Sequence, residues 1–169
     1  HTVTVSAPMF AELNGTVKNM TLNGSIAAND TSAAAVALIS TGGMSAMNIT
    51  SNVDITVSGT ASDLYAAAIV CKSSCITVSS LFESIVNNGD MTVNAPESSK
   101  PRAAGIAAIA SRAVFTDCLN NGTVNALGSQ VVVCGICARA CDAGSAVEAD
   151  FYHCINNGDV SGDGYNAYA

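Results

Sequence analysis

The chain has 169 residues and six Lys and Arg against thirteen Asp and Glu, a net charge of −7. That balance leaves no basic patch to neutralise phosphates and argues against nucleic acid or an anionic bilayer as partner. Hydrophobic residues reach 49%, but aromatics are only 5%, Trp is absent and charged residues are 11%. This composition suits a thin, evenly layered core of Ala, Val and Ile rather than a core with large anchors. No run approaches the roughly 18 apolar residues that span a bilayer.

In chain order, His1–Ser6 alternates as an edge strand does, and Leu22-Asn-Gly-Ser-Ile26 reads as a strand broken by a turn. The block Ala34–Leu38 is built of small apolar residues and reads as a single small-residue strand. Ile49–Ile55 repeats the turn with Val53 where Gly is expected, and Ala67–Cys71 repeats the small block. Phe82–Met91, Phe115–Val124 and Phe151–Val160 then align without gaps, each carrying Phe, Asn-Asn-Gly and a final apolar residue at fixed offsets. Ala104–Ala108 and Cys134–Ala138 lie between them as further small blocks.

Internal repetition of this kind is the signature of a solenoid. Gly89, Gly122 and Gly158 recur at intervals of 33 and 36 residues, and the earlier copies at 29 and 36. The predicted fold is all-β: one parallel β-solenoid over residues 1–169, of about five coils with 29–36 residues each. Equivalent strands stack about 4.8 Å apart. Met20, Ile49, Ile85, Cys118 and Cys154 form one inward column, and Val36, Ile69, Ile106 and Ile136 another. Asn87, Asn120 and Asn156 are expected to stack as an amide ladder, each followed after one residue by a Gly at positive φ. Because coils contact only neighbours, end coils need caps or continuation, and the chain reads as a segment of a longer array or a protomer of a fibre.

The sequence apolar-x-x-Cys-x-Asn-x-Gly-x-Val, then a loop, then Gly-Ile-x-x-x-Ala resembles the GLUG-type repeats of large surface proteins. The resemblance is close over residues 81–160 and loose over 20–80, with Ala107 and Ala138 where the family has glycines. It implies a β-solenoid in a cell-surface setting and no particular activity.

Seven cysteines and six Asn-x-Ser/Thr sequons, at Asn14, Asn19, Asn23, Asn29, Asn48 and Asn121, point to an oxidising, extracellular or cell-surface location. The disulfide candidates are Cys118 with Cys154, one coil apart in a column, Cys71 with Cys75, and the cluster Cys134, Cys137 and Cys141; an odd count leaves one thiol over. Cys134 and Cys137 point to opposite faces of a strand, so disulfides or buried thiols fit better than a metal centre. Ser84, Asp117 and His153 share a column, but in an order that puts Asp rather than His in the middle, so no triad forms and no catalytic residue is assigned. Asp159, Ser161 and Asp163 resemble half a calcium loop, yet the repeat register reads them as an ordinary turn; no cofactor is expected.

The leading functional expectation is a non-enzymatic structural or adhesive glycoprotein module that meets neighbouring copies, further repeats or glycans and assembles end to end into filaments. A polysaccharide-active β-helix enzyme is the alternative, although its acids would have to cluster. Ice or carbohydrate binding is the other; the Thr56 and Thr92 column is broken by Asn125 and Ser161.

Overall fold

The computed structural model describes residues 1–75, 77–96, 100–140 and 148–168, and among these there is no helix. Every strand pairing is parallel, and the strands stack as a β-solenoid of about four turns, close to the five coils expected. On the long side, Thr16–Asn29, Ser45–Ser58 and residues 80–94, 113–127 and 150–168 succeed one another as rungs. A second, five-stranded sheet stacks Phe10–Glu12, Ala37–Ser40, Val70–Ser74, Ala107–Ser111 and Cys137–Arg139.

The alternating strands turn one side of each rung inward. In Ser45–Ser58, for example, Ile49, Val53, Ile55 and Val57 are buried while Asn52, Asp54 and Thr56 face out. Both expected apolar columns form in the expected register. Phe82 and Phe115 are fully buried and stack with ring centroids 4.6 Å apart, and Phe151 follows Phe115 at 4.9 Å, with planes tilted by 10° and 7°. The stacked rings are the thickest part of an otherwise slender core.

Beside the rings runs an inner amide ladder, buried at Asn87 and Asn120 and exposed at Asn156. Asn87 Nδ2 donates to Asn120 Oδ1 at 2.8 Å, and Asn120 Nδ2 to Asn156 Oδ1 at 2.7 Å. Each of the three also donates to the carbonyl of the Gly two residues on, at 2.7–2.8 Å. A buried carboxamide is tolerated because both N–H groups have acceptors. Below Asn87 the column holds Ser51, whose buried Oγ has no hydrogen-bond partner.

The glycines of this motif correct the sequence reading. Gly89, Gly122 and Gly158 lie outside the left-handed region; what requires Gly is the closeness of the next coil. A Cβ on Gly122 would sit 2.0 Å from the carbonyl oxygen of Gly89, and one on Gly158 1.9 Å from that of Gly122. Among the described residues, positive φ falls instead on the column Asn19 (57°), Asn48 (50°), Ser84 (53°), Asp117 (52°) and His153 (51°), and outside it on Asp30, Arg112, Gly24, Gly43 and Gly59. A left-handed residue there bends every rung at the same point, at a cost of roughly 1–2 kcal/mol each that Asn and Asp bear best.

A second correction concerns the small-residue blocks, expected as single strands. Each is a corner: Ala33–Ala34 and Ala37–Ser40 belong to different sheets, as do Tyr65–Ala67 and Val70–Ser74. The inward residues at the corner, Val36, Ile69, Ile106 and Ile136, fill the angle, and the Ala or Gly that precedes each lets the two sheets meet.

Two variants test this packing by chemical denaturation. Phe115→Ala removes the middle ring of the stack and should cost about 3–5 kcal/mol. Gly122→Ala drives a methyl into the Gly89 carbonyl and should cost about 2 kcal/mol or more. Gly15→Ala, whose Cβ would meet nothing closer than 3.9 Å, should be near neutral.

Candidate functional site

The most regular surface is the outward face of the long rungs, and its main feature is a second amide ladder. Asn52 Nδ2 donates to Asn23 Oδ1 (2.8 Å), Asn88 to Asn52 (2.8 Å), Asn121 to Asn88 (2.9 Å) and Asn157 to Asn121 (3.1 Å). Five carboxamides thus form one chain of hydrogen bonds along the axis, each rung from Asn52 to Asn157 exposed. The next outward column is Ser25, Asp54, Asp90, Thr123 and Asp159. Within it, Asp54 Oδ1 accepts the backbone N–H of Asp90 (3.0 Å) and Asp90 Oδ1 that of Thr123 (2.7 Å). Beyond lie Ala27, Thr56, Thr92, Asn125 and Ser161 in register, the broken Thr column as expected.

The repeat register alone puts Asn23, Asn88, Asn121 and Asn157 in one turn column; the structure adds Asn52 to it. The signal was present, since Asn52 precedes Val53 at the offset where the other rungs have Asn-Gly.

The sequons occupy four settings. Asn23 and Asn121 are rungs of the outer ladder. Asn19 and Asn48 lie at the left-handed corner, joined by Asn48 Nδ2 to Asn19 Oδ1 at 2.8 Å, and Asn29 is exposed at the end of its strand. Asn14 organises a loop: its Oδ1 accepts the N–H groups of Thr41 (2.9 Å) and Gly42 (2.8 Å), and its Nδ2 donates to Glu12 Oε1 (2.8 Å). Hydrogen bonds from Thr41 and Asn14 hold the exposed Glu12 carboxyl below its ordinary pKa.

Ser84, Asp117 and His153 stack in the order read from the sequence, with His153 Nδ1 3.4 Å from Asp117 Oδ1 and both exposed. Asp159, Ser161 and Asp163 are alternate exposed residues around and along the strand Val160–Tyr168, paired with Asn125 and Leu127. Outward neighbours on a strand stand about 6.6 Å apart, so these groups do not wrap one centre as a calcium loop would. Among the described residues no three His, Cys, Asp or Glu side chains converge to hold a metal.

Cys71, Cys75, Cys118, Cys134 and Cys154 are free thiols; Cys141 lies outside the described residues. Cys71 and Cys75 are both buried but face different neighbours, Cys71 donating to the Tyr65 carbonyl (3.7 Å) and Cys75 meeting Ser73 and Ser80 (3.6 and 3.4 Å). Cys134 is partly exposed on the outer side of the corner and Cys137 is buried on the inner side. Cys118 and Cys154 are adjacent in their column, as expected. Each donates to the backbone carbonyl of a residue one coil below, Phe82 (3.5 Å) and Phe115 (3.6 Å). Burial pushes the Cys118 thiol up to about 12, and the Cys71 thiol upward as well.

One apolar hollow of about 210 Å³ lies outside the corner between the sheets, among Leu38, Ile39, Tyr65, Cys71 and Lys72. Above it Arg102, largely buried, donates to the Tyr65 hydroxyl at 3.2 Å and lies 3.8 Å from Asp63. The sequence carried no sign of this trio, because Tyr65 and Arg102 are brought together only by the pairing of their strands.

A thiol whose pKa is raised by folding favours the native state below its unfolded value, about 8.5. That contribution is lost as pH rises from there through 12. Native Cys118 should therefore resist alkylation at pH 8, react fully in denaturant, and contribute to a fall in stability between pH 9 and about 12. Alkylation followed by mass spectrometry, with denaturation curves across that range, checks both.

No protein-family model, no curated protein and no solved structure matches the chain.

Proposed function

We propose that the chain is a non-enzymatic structural and adhesive module of an extracellular surface, a stiff solenoid that presents one flat polar face. The observation that carries this reading is the outer ladder Asn23–Asn52–Asn88–Asn121–Asn157. Its amides hold one another in place, so the face is pre-organised and loses little freedom on contact with a partner. Each inner rung still has one N–H and one lone pair turned outward, repeated about every 4.8 Å. Such a row suits a ligand that is itself repetitive and rich in hydroxyls, as a polysaccharide is. The sequons at Asn23 and Asn121 on this same face, and the resemblance to repeats of surface proteins, support the extracellular setting.

The test is retention on immobilised polysaccharides together with an assay for new reducing ends. Retention without chain cleavage is expected, and Asn52→Asp with Asn88→Asp, which set repelling carboxylates on adjacent rungs, should weaken it about tenfold while the circular dichroism stays that of a β-solenoid. Cleavage of the polysaccharide, or retention indifferent to these substitutions, contradicts the proposal.

A further inference from the structure

Outside the corner between the sheets, Ser32, Tyr65 and Arg102 lie in one column, set by the pairing of Ala33 with Ala66 and of Tyr65 with Arg102. Arg102 is 7% exposed, and its guanidinium lies over the Tyr65 ring, 5.4 Å from the centroid. In the coil below, the short Ser32 stands where Tyr65 and Arg102 stand above. Its Oγ accepts the Tyr65 N–H at 3.0 Å and leaves the rest of the space empty. That gap is the hollow of about 210 Å³, completed by Thr31 and by Leu38, Ile39, Cys71 and Lys72 of the five-stranded sheet. Phe10 and Glu12 pair beneath Ala37 and Ile39, so the hollow sits on the flank of the stack, between paired coils.

The walls of this space are mainly apolar: Leu38, Ile39, the Tyr65 ring and the Cys71 thiol, which packs as a small hydrophobe. Arg102 covers the upper face of the Tyr65 ring, so the lower face is the roof of the hollow. The ring is already held, because Arg102 donates to its hydroxyl at 3.2 Å, and a ligand that stacks on it orders little. Charge adds a second constraint. The chain has six Lys and Arg against thirteen acids, yet Lys72 lines the hollow, Arg102 lies above it, and Arg139 shares the Lys72 column two coils on. The neighbouring carboxylates are already engaged, Asp63 with Arg102 and Glu12 with Asn14 and Thr41.

We propose that this hollow binds a small aromatic carboxylate, its ring beneath Tyr65 against Leu38, Ile39 and Cys71 and its carboxylate at the Lys72 ammonium. A ring there continues the column of Arg102 over Tyr65 with one more flat group, at the offset-stacking distance that aromatic pairs prefer. The volume is below the roughly 300–1,000 Å³ of sites for larger ligands, which limits the occupant to a single ring with a short acid arm. A sugar of the same size would leave most of its hydroxyls against apolar walls without partners. The site lies apart from the Asn ladder on the long rungs, so this inference and the polysaccharide reading can fail independently.

The test is an NMR titration of the methyl-labelled protein with phenylacetate, with benzyl alcohol and acetate as the probes that lack the acid and the ring. Phenylacetate should shift the Leu38 and Ile39 methyls saturably, with a Kd below about 1 mM. Benzyl alcohol should bind roughly fivefold more weakly, and acetate should leave these methyls unmoved. Lys72→Gln should weaken phenylacetate by that same factor of roughly five and leave benzyl alcohol unchanged. Ser32→Tyr, which repeats the side chain of the coil above and fills the space, should abolish binding of both while the denaturation midpoint stays the same or rises. No saturable shift at these methyls overturns the proposal. So do equal affinities for acid and alcohol, indifference to Lys72→Gln, or binding that survives Ser32→Tyr in the folded protein.

Discussion

Parallel, in-register stacking at one strand spacing is the constraint from which the rest of the molecule follows. Once residue n lies above its equivalent one coil earlier, every column must hold side chains that pack against their own kind. Rings do so by offset stacking, carboxamides by donating to the next carbonyl, and Val, Ile and Ala by simple contact. The same condition forbids side chains where backbones press together. Gly89, Gly122 and Gly158 stand where each Cβ would strike the carbonyl below, so the glycine column and the Asn87–Asn120–Asn156 ladder are one device. The amide reaches over the gap that the glycine leaves and satisfies the glycine carbonyl.

The corners are where the chain departs from this uniformity. A left-handed residue bends each long rung at the Asn19–His153 column, and a small-residue corner turns each coil from one sheet into the other. Coil lengths of 29, 33 and 36 residues coexist because length varies between strands while the rungs keep their register. A surface built this way can vary in its loops without disturbing the polar face of the long rungs.

Much of the architecture was legible in the sequence because columns are self-similar. Three aligned copies of Phe…Asn-Asn-Gly suffice to set the register, and with it both apolar columns, the inner amide ladder and the order Ser84, Asp117, His153. What was not legible depends on the third dimension. A glycine after Asn-Asn is equally consistent with positive φ and with a crowded backbone, and only the distance between coils decides. A run such as Ala34–Leu38 does not announce a corner, since small residues suit a strand as well as a bend. Asn52 escaped because its neighbour is Val53, whose side chain turns inward where other rungs have Gly. The short path of residues 6–8, from Thr2–Val5 beside Thr21–Gly24 to Met9 and Phe10 at the corner, was hidden for a similar reason: His1–Ser6 alternates like any edge strand, and the short cut shows only in the N–H bonds of Met9 and Phe10 to the carbonyls of Ala35 and Val36.

The aromatic column offers the most direct check that equivalent residues lie one above another. With the Phe rings selectively labelled, NMR should give strong ring-to-ring contacts from Phe82 to Phe115 and from Phe115 to Phe151, as centroids 4.6 and 4.9 Å apart require, and none from Phe82 to Phe151. Rings that show no mutual contact, or a direct contact between the first and third, would contradict the stacked-coil account at its foundation.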